Sequence, residues 1–332
     1  MPLHLLLDQV SDVLLVGRVL RRAEPATDVS PSQLAWFPDE HDMEPRLLSQ
    51  LAMKLGLVDG ATRLETVERM LHRFRCNNVS ITDATLRPIG AGCYPLGAMV
   101  NHSCSPNCVV TFEPETSEMQ FRALRPVEPD EELTHAYVDM ALPRDTRQRR
   151  LSAQYRFDCR CPRCGPRHED KQEDDRFLDA DADGVAESEW SAERRSSVDR
   201  LLQLLETSTD TAAVAHVLEA LRHELHPHNI HILEALSLLF NNQMQGSAAE
   251  RAAALATGEQ IREVYDRVYP VNHPMRGLHL FTLGDVNALA NRLTQASLCY
   301  REARAILGIT HGPTHALVQL LDARCGGSRE ES

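Results

Sequence analysis

The chain has 332 residues, 42% of them hydrophobic, and a formal net charge of −13 at pH 7. That length holds two or three domains with a sizeable core. The charge excludes a protein whose surface as a whole serves nucleic acid.

Nine cysteines follow no secretory signal, so they read as reduced thiols available as metal ligands, in a soluble intracellular protein. Leu5-Leu6-Leu7 is broken by Asp8 too soon to span a membrane. Residues 1–75 read as mostly helical. Val13, Leu14, Val16, Val19 and Leu20 make one apolar face. Leu47, Leu48, Leu51, Leu55 and Leu57 make a second, and Met70, Leu71 and Phe74 close a third. Pro25, Pro31, Pro38 and Pro45 punctuate the gap between the first two.

From Cys76 the pattern changes to short strands and many turns. Val79-Ser80-Ile81-Thr82 reads as a strand and Arg87-Pro88-Ile89-Gly90-Ala91-Gly92-Cys93-Tyr94-Pro95 as a run of breakers. Val109-Val110-Thr111-Phe112 and the run from Met119 to Leu124 alternate as two strands around a turn. The loop 125–134 then leads to a last short strand ending at Tyr137. Residues 143–156 read as a helix rich in arginine (Arg144, Arg147, Arg149, Arg150 and Arg156), either a solvated face or a docking patch for an acidic partner. An acidic linker covers 165–189. Within it Asp179-x-Asp181-x-Asp183-Gly184 resembles half a calcium loop, but Trp190 stands where a bidentate Glu is required. From about 191 the chain reads as helical to its end, and the short polar connections favour stacked antiparallel pairs. Leu283-Gly284 with Ala288, and Ala296, Tyr300 and Ala303, resemble a tetratricopeptide pair.

Three features carry chemistry. Asn101-His102-Ser103-Cys104-Ser105-Pro106-Asn107-Cys108 puts two polar residues and two thiols after an apolar approach, and buried polar atoms need partners. Cys159-x-Cys161-x2-Cys164 offers three thiolates for a tetrahedral zinc ion. Its fourth ligand has to come from elsewhere, with Cys93, Cys104 and Cys108 as the choices. Tyr137 ends a strand, where a tyrosine is ordinarily a core residue with a satisfied hydroxyl. His223, His226, His228 and His231 lack the His-Glu-x-x-His spacing and read as exposed imidazoles at a helix end.

Together these residues resemble a known family. The 101–108 stretch, Glu131-Glu132-Leu133-Thr134-x-x-Tyr137, and Arg147-x3-Leu151-x3-Tyr155-x-Phe157 running into the cysteines resemble the SET domain of protein lysine methyltransferases. Gly90-Ala91-Gly92-Cys93-Tyr94-Pro95, His273-Pro274-Met275-Arg276-Gly277 and Thr310-His311-Gly312-Pro313-Thr314-His315 resemble the SMYD branch, the SET and MYND proteins. The resemblance implies an α+β fold: a SET-type β fold of short strands with a helical insert, a post-SET zinc site and a C-terminal tetratricopeptide-like helical array. The implied division is 1–75 helical segment, 76–158 C-terminal half of the SET domain, 159–168 zinc-binding segment, 169–190 acidic linker and 191–325 helical domain. No cysteine precedes Cys76, so the expectation is a chain without the MYND module and without the glycine-rich turn that opens a SET domain.

The resemblance also implies the site. Tyr137 matches the catalytic tyrosine. Asn77, Asn101, His102, Tyr137 and Phe157 match contacts to S-adenosyl-L-methionine, and Tyr155 and Phe157 match walls of the substrate lysine channel. Cys104 matches the zinc ligand that joins Cys159, Cys161 and Cys164. The 137 segment would thread against the 101–108 stretch as a pseudoknot. His135 stands where an apolar residue is more usual. The implied function is S-adenosylmethionine-dependent methylation of lysine in histones or other proteins, in cytoplasm and nucleus. A chaperone or another peptide would dock on the helical domain, with no membrane or direct nucleic-acid partner. The alternative is a non-catalytic, zinc-containing interaction scaffold.

Overall fold

The structure is a computed structural model and describes residues 3–21, 30–37, 43–165 and 176–326. Pro25, Pro38 and residues 166–175 of the acidic linker therefore lie outside the described residues. The fold is α+β. Packing divides the chain into two units. The first comprises 1–101, 110–120 and 150–158, and the second 102–109, 121–149 and 159–332.

In the first unit α1 (Leu3–Arg21), α2 (Glu44–Lys54) and α3 (Leu64–Asn77) pack on one another. Their core holds Val13, Val16, Ala52, Val67, Met70, Leu71 and Phe74. Gly17 permits the close approach, since a Cβ there would stand 2.7 Å from the Leu57 carbonyl oxygen. The second expected apolar face is partly turned: Leu48 and Leu57 pack against this core. Pro45, Ser49 and Ala52 point inward, while Leu47, Leu51 and Leu55 form a stripe 59%, 39% and 61% exposed. The helix meets its neighbours through the smaller residues, which let the axes come close.

Asn78–Thr82 (β1) pairs antiparallel with Pro88–Cys93 (β2), with Val79 opposite Gly92 and a bulge at Ile81/Thr82. The expected run of breakers is thus largely strand. Its proline occupies the first position, where a proline is tolerated in a ladder.

Further short strands follow: β3 (Asn101–His102), β4 (Cys108–Phe112), β5 (Met119–Ala123) and β6 (Thr134–His135), with β4 paired to β5. The arginine-rich helix is α4 (Arg144–Tyr155).

The second unit is dominated by seven consecutive helices: α5 (Ala192–Thr207), α6 (Thr211–Glu224), α7 (Ile230–Gln245), α8 (Ala248–Val268), α9 (Pro274–Leu289), α10 (Leu293–Thr310) and α11 (Ala316–Gly326). Each packs on the next. Their starts are set locally. Ser191, Asp210 and Asn229 accept N–H groups of Arg194, Ala213 and His231, and Ser247 with Glu250 forms a capping box. Ala296, Tyr300 and Ala303 are buried on α10, and Tyr300 lies against Gly284 of α9, where any larger residue would collide with the ring. Two apolar cores run through the array, one around Leu221, Leu236 and Leu283, the other around Leu280, Ala303 and Leu307.

The half-calcium loop before α5 is closed by an arginine. Asp181, 1% exposed, accepts the N–H groups of Asp183 and Val185 and pairs with Arg194. The histidines are less exposed than expected. His226 and His228 are half-buried, with ring centroids 6.0 and 5.6 Å from Phe177. Among the described residues no helix is long and apolar enough to cross a membrane.

Candidate active site and metal centre

The metal centre is built by two loops of the second unit. After α4 the chain turns through Cys159, Cys161 and Cys164, with the Cys164 N–H donating to the Cys161 carbonyl at 2.9 Å. Gln148 grips both backbone groups of Cys159. Its Nε2 donates to the Cys159 carbonyl and its Oε1 accepts the Cys159 N–H, each at 2.8 Å. Cys104 arrives from the loop after β3. The four ligand sulfurs lie within 4.8 Å of one another, and the Cys104 and Cys164 sulfurs are 3.5 Å apart. A tetrahedron with zinc–sulfur bonds of about 2.3 Å has edges of about 3.8 Å, so the donor set fits zinc. Of the three cysteines open as the fourth ligand, Cys104 is the one brought to the cluster.

Hydrogen bonds within the cluster divide its protons unequally. Contacts to Cys104 and Cys159, with a smaller contribution from Arg147, lower Cys164 to about 7. Contacts to Cys104, Cys159 and Cys164 hold Cys161 below its ordinary value, and Cys104 is pushed up by its three neighbours. The lowered pair, Cys161 and Cys164, gives up its protons readily, as thiols that bind metal must.

Sequence reasoning missed Arg147. It sits in the run read as a solvated face, yet it is fully buried. Its Nε donates to Cys104 Sγ at 3.2 Å and its Nη2 to Cys164 Sγ at 3.5 Å, while Nη1 donates to the Leu142 carbonyl. A buried guanidinium is tolerated only when paired, and thiolates supply the negative charge here. The sequence signal is positional: Pro143, Arg147 and Leu151 fall at i, i+4 and i+8 and are all buried.

His102 joins this centre to Tyr137. Its Nδ1 accepts the Tyr137 backbone N–H at 2.9 Å, and its Nε2 is 3.2 Å from Cys104 Sγ. With Nδ1 an acceptor, the ring is neutral and carries its proton on Nε2, aimed at the sulfur. Burial, with a smaller effect of Arg147, pushes its pKa down to about 4. The Tyr137 ring lies 5.2 Å from that of His102 and 4.8 Å from that of His135. His135 is buried, also touches Phe121 at 5.4 Å, and has its pKa pushed down to about 4 by burial. It serves as a neutral ring where an apolar side chain was expected. Tyr137 itself is shifted up by burial and by Glu132, so its hydroxyl keeps its proton at neutral pH.

A second missed residue, Asn107, positions the strand leading to Tyr137. Only 2% exposed, it donates from Nδ2 to Glu131 Oε1 at 3.0 Å and to the Glu132 carbonyl at 2.9 Å, and its Oδ1 accepts the Thr134 N–H at 2.8 Å. Beyond the tyrosine, Asp139 accepts the Tyr269 hydroxyl at 2.8 Å and the Ala141 N–H at 2.9 Å, pinning the segment to the end of α8.

Asn77, Asn101, Tyr155 and Phe157 belong to the first unit. The Asn77 amide donates to the Ala35 and Arg73 carbonyls at 2.8 and 2.7 Å, and Asn101 is exposed. The Tyr155 and Phe157 rings are neighbours at 6.5 Å. A cavity of about 760 Å³ in this unit is lined by Cys76 and Asn78, which flank Asn77, and by Phe37, Pro88, Gly90 and Gln154 among others.

Residues 23–138 match the family model described as SET domain. The mouse (Mus musculus) protein named Histone-lysine N-methyltransferase SMYD3 is 28% identical over 329 residues, covering 92% of this chain and 73% of that protein. Its human (Homo sapiens) namesake is 30% identical over 248 residues, covering 74% and 54%. The Arabidopsis thaliana protein named Histone-lysine N-methyltransferase ASHR1 is 29% identical over 320 residues, covering 86% and 66%. The chain thus spans from about half to about three quarters of the length of these relatives.

Proposed function

We propose, for a chain that belongs to the SMYD branch of the SET-domain family, that it is a protein-lysine N-methyltransferase acting on lysines of histones or other proteins. One observation carries this reading: the His102 ring ties the Tyr137 backbone to Cys104, so tyrosine, histidine and four-cysteine cluster form one assembly.

S-adenosyl-L-methionine, when bound, supplies a methyl group on a positively charged sulfur. The surroundings of Tyr137 suit that charge, because His102 and His135 stand beside it as neutral rings and Phe121 and Tyr137 offer π faces. In-line displacement at carbon depends on placement, and a well-oriented pair gains much of its barrier reduction from that alone. The lysine nitrogen has to arrive neutral. A buried, apolar approach disfavours the ammonium, and a nearby sulfonium does so further. Tyr137, protonated at neutral pH, orients the amine. The lysine ammonium would give up one proton to water before attack, and bound S-adenosyl-L-methionine would supply the methyl group to the neutral nitrogen that Tyr137 orients. Asn77, Asn101, His102, Tyr137 and Phe157 are the cofactor residues in this reading, and Tyr155 and Phe157 the channel walls.

Zinc held by Cys104, Cys159, Cys161 and Cys164 supplies no chemistry in the transfer. It fixes the loop carrying His102 to the loop after α4. In this division of labour residues 76–158 carry catalysis, 159–168 the clip, 169–190 a linker and 191–325 a peptide-docking array with a chaperone among its partners. The protein would work in cytoplasm and nucleus, where reduced thiols persist and its substrates reside.

The test is transfer of label from radiolabelled S-adenosylmethionine to a histone mixture, with Tyr137→Phe as control. Label appears with the parent chain and falls by at least tenfold in the variant. A zinc-loaded, folded protein that neither binds the cofactor by calorimetry nor transfers label overturns the reading.

A further inference from the structure

A cavity of about 700 Å³ in the second unit opens between the 104–106 loop, the cysteine loop at Pro162 and Arg163, and the segment 267–272 at the end of α8. Five arginines line it, Arg125, Arg144, Arg163, Arg176 and Arg267, against three acidic residues, Asp145, Asp179 and Glu189. The excess is positive in a chain whose net charge is −13. Arg125 is engaged by Glu131. Arg144 and Arg163 are fixed on the wall, donating to the Cys164 carbonyl at 2.9 Å and the Cys104 carbonyl at 3.4 Å. Arg176 and Arg267 make no hydrogen bond or ion pair with any described residue.

These four guanidinium groups come from four separate places: the start of α4, the cysteine loop, residue 176 and the last turn of α8. A planar carboxylate offers two oxygens and satisfies one fork. A phosphoryl group offers three oxygens in different directions and a second negative charge, which suits forks converging from several sides. We propose that this cavity is a binding site for a phosphoryl group, carried either on a phosphorylated peptide or on a free polyphosphate.

The test is calorimetric titration of the zinc-loaded full chain in low salt with sodium tripolyphosphate, with Gly-phosphoserine-Gly and with Gly-Ser-Gly. No methyl donor is present, so phosphate binding stands or falls apart from methyl transfer. Binding is expected for a phosphorylated probe and not for Gly-Ser-Gly, weakening as salt is raised. Preference for Gly-phosphoserine-Gly marks a peptide ligand, and preference for tripolyphosphate marks a free one. Arg176→Ala and Arg267→Ala, both exposed and distant in sequence from the cysteines, each weaken binding about tenfold. Their circular dichroism should match that of the parent chain. Absence of heat with both phosphorylated probes, or binding unchanged in both variants, overturns the assignment.

Discussion

Replacing Arg147 with methionine should loosen the metal centre without removing a ligand. The side chain is fully buried and donates to Cys104 and Cys164 sulfurs at 3.2 and 3.5 Å. Four thiolates and one zinc ion carry two net negative charges, and the guanidinium cancels one of them. Hydrogen bonds to charged groups contribute about 1.5–3 kcal/mol each in mutational series. The desolvation cost of a buried guanidinium, several kcal/mol, offsets much of that. Allowing about 1 kcal/mol net for each N–H···S contact gives about 2 kcal/mol, or about 30-fold in zinc affinity, within the range usual for partners of metal ligands. Methionine keeps the unbranched stem and deletes charge and donors. Arg147→Lys keeps the charge but has no planar fork, so it should fall between. Zinc affinity is read by competition with a chromogenic chelator, and cobalt substitution reports the thiolate geometry by its charge-transfer absorption. A folded Arg147→Met protein whose zinc affinity stays within twofold of the parent would refute the role assigned to the guanidinium.

Cys161→Ser should lower bound zinc from about one ion per chain to near zero, measured by atomic emission after desalting, because three ligands hold a structural site poorly. Asn107→Ala strips the Thr134 N–H of its acceptor and the Glu132 carbonyl of a donor, at a cost of about 2–4 kcal/mol of stability in urea unfolding. Methyl transfer should fall mainly in kcat, since the variant touches the placement of Tyr137 rather than a ligand contact; an unchanged kcat with a raised KM would count against it. Burial, with a smaller effect of Arg276, pushes His273 down to about 3, so between about pH 3 and 6.5 the unfolded chain binds a proton that the folded chain does not. Stability from this group is present above pH 6.5 and is lost as pH falls, by about 2 kcal/mol at pH 5. His273→Asn keeps a cap for the Met275 N–H and should flatten the fall in unfolding midpoint between pH 7 and 5; a slope equal to the parent's removes His273 as its source.

What could be read in advance depended on how local the signal was. Three cysteines within six residues announce a metal because spacing alone brings them together. Cys104 was one of three choices until the resemblance singled it out, for no local pattern points across 55 residues of chain. Helices α5 to α11 followed from 3.6-residue periodicity, and polar caps mark several of their starts. The face of α2 was misjudged because leucines outnumber the small residues that close packing selected. Arg147 was hidden by its company, since one buried arginine in a run of exposed ones looks like the rest of a solvated face. Asn107, beside a proline in a loop, looks like a turn residue, and its role as a clamp on Glu131, Glu132 and Thr134 appears only when the chain returns 24 to 27 residues later.

His102 shows how the structure narrows a role that sequence could only name. Both ring nitrogens have partners, one the Tyr137 N–H and the other Cys104 Sγ. Any hydrogen bond it makes to a cofactor therefore falls to its backbone, while the ring acts as a strut between Tyr137 and Cys104. The strut works in one tautomer, with Nδ1 accepting and Nε2–H donating, and the thiolate that zinc requires at Cys104 is the acceptor that stabilises that tautomer. Metal binding and the placement of Tyr137 are therefore coupled through a single ring. Loss of zinc should therefore disturb the placement of Tyr137.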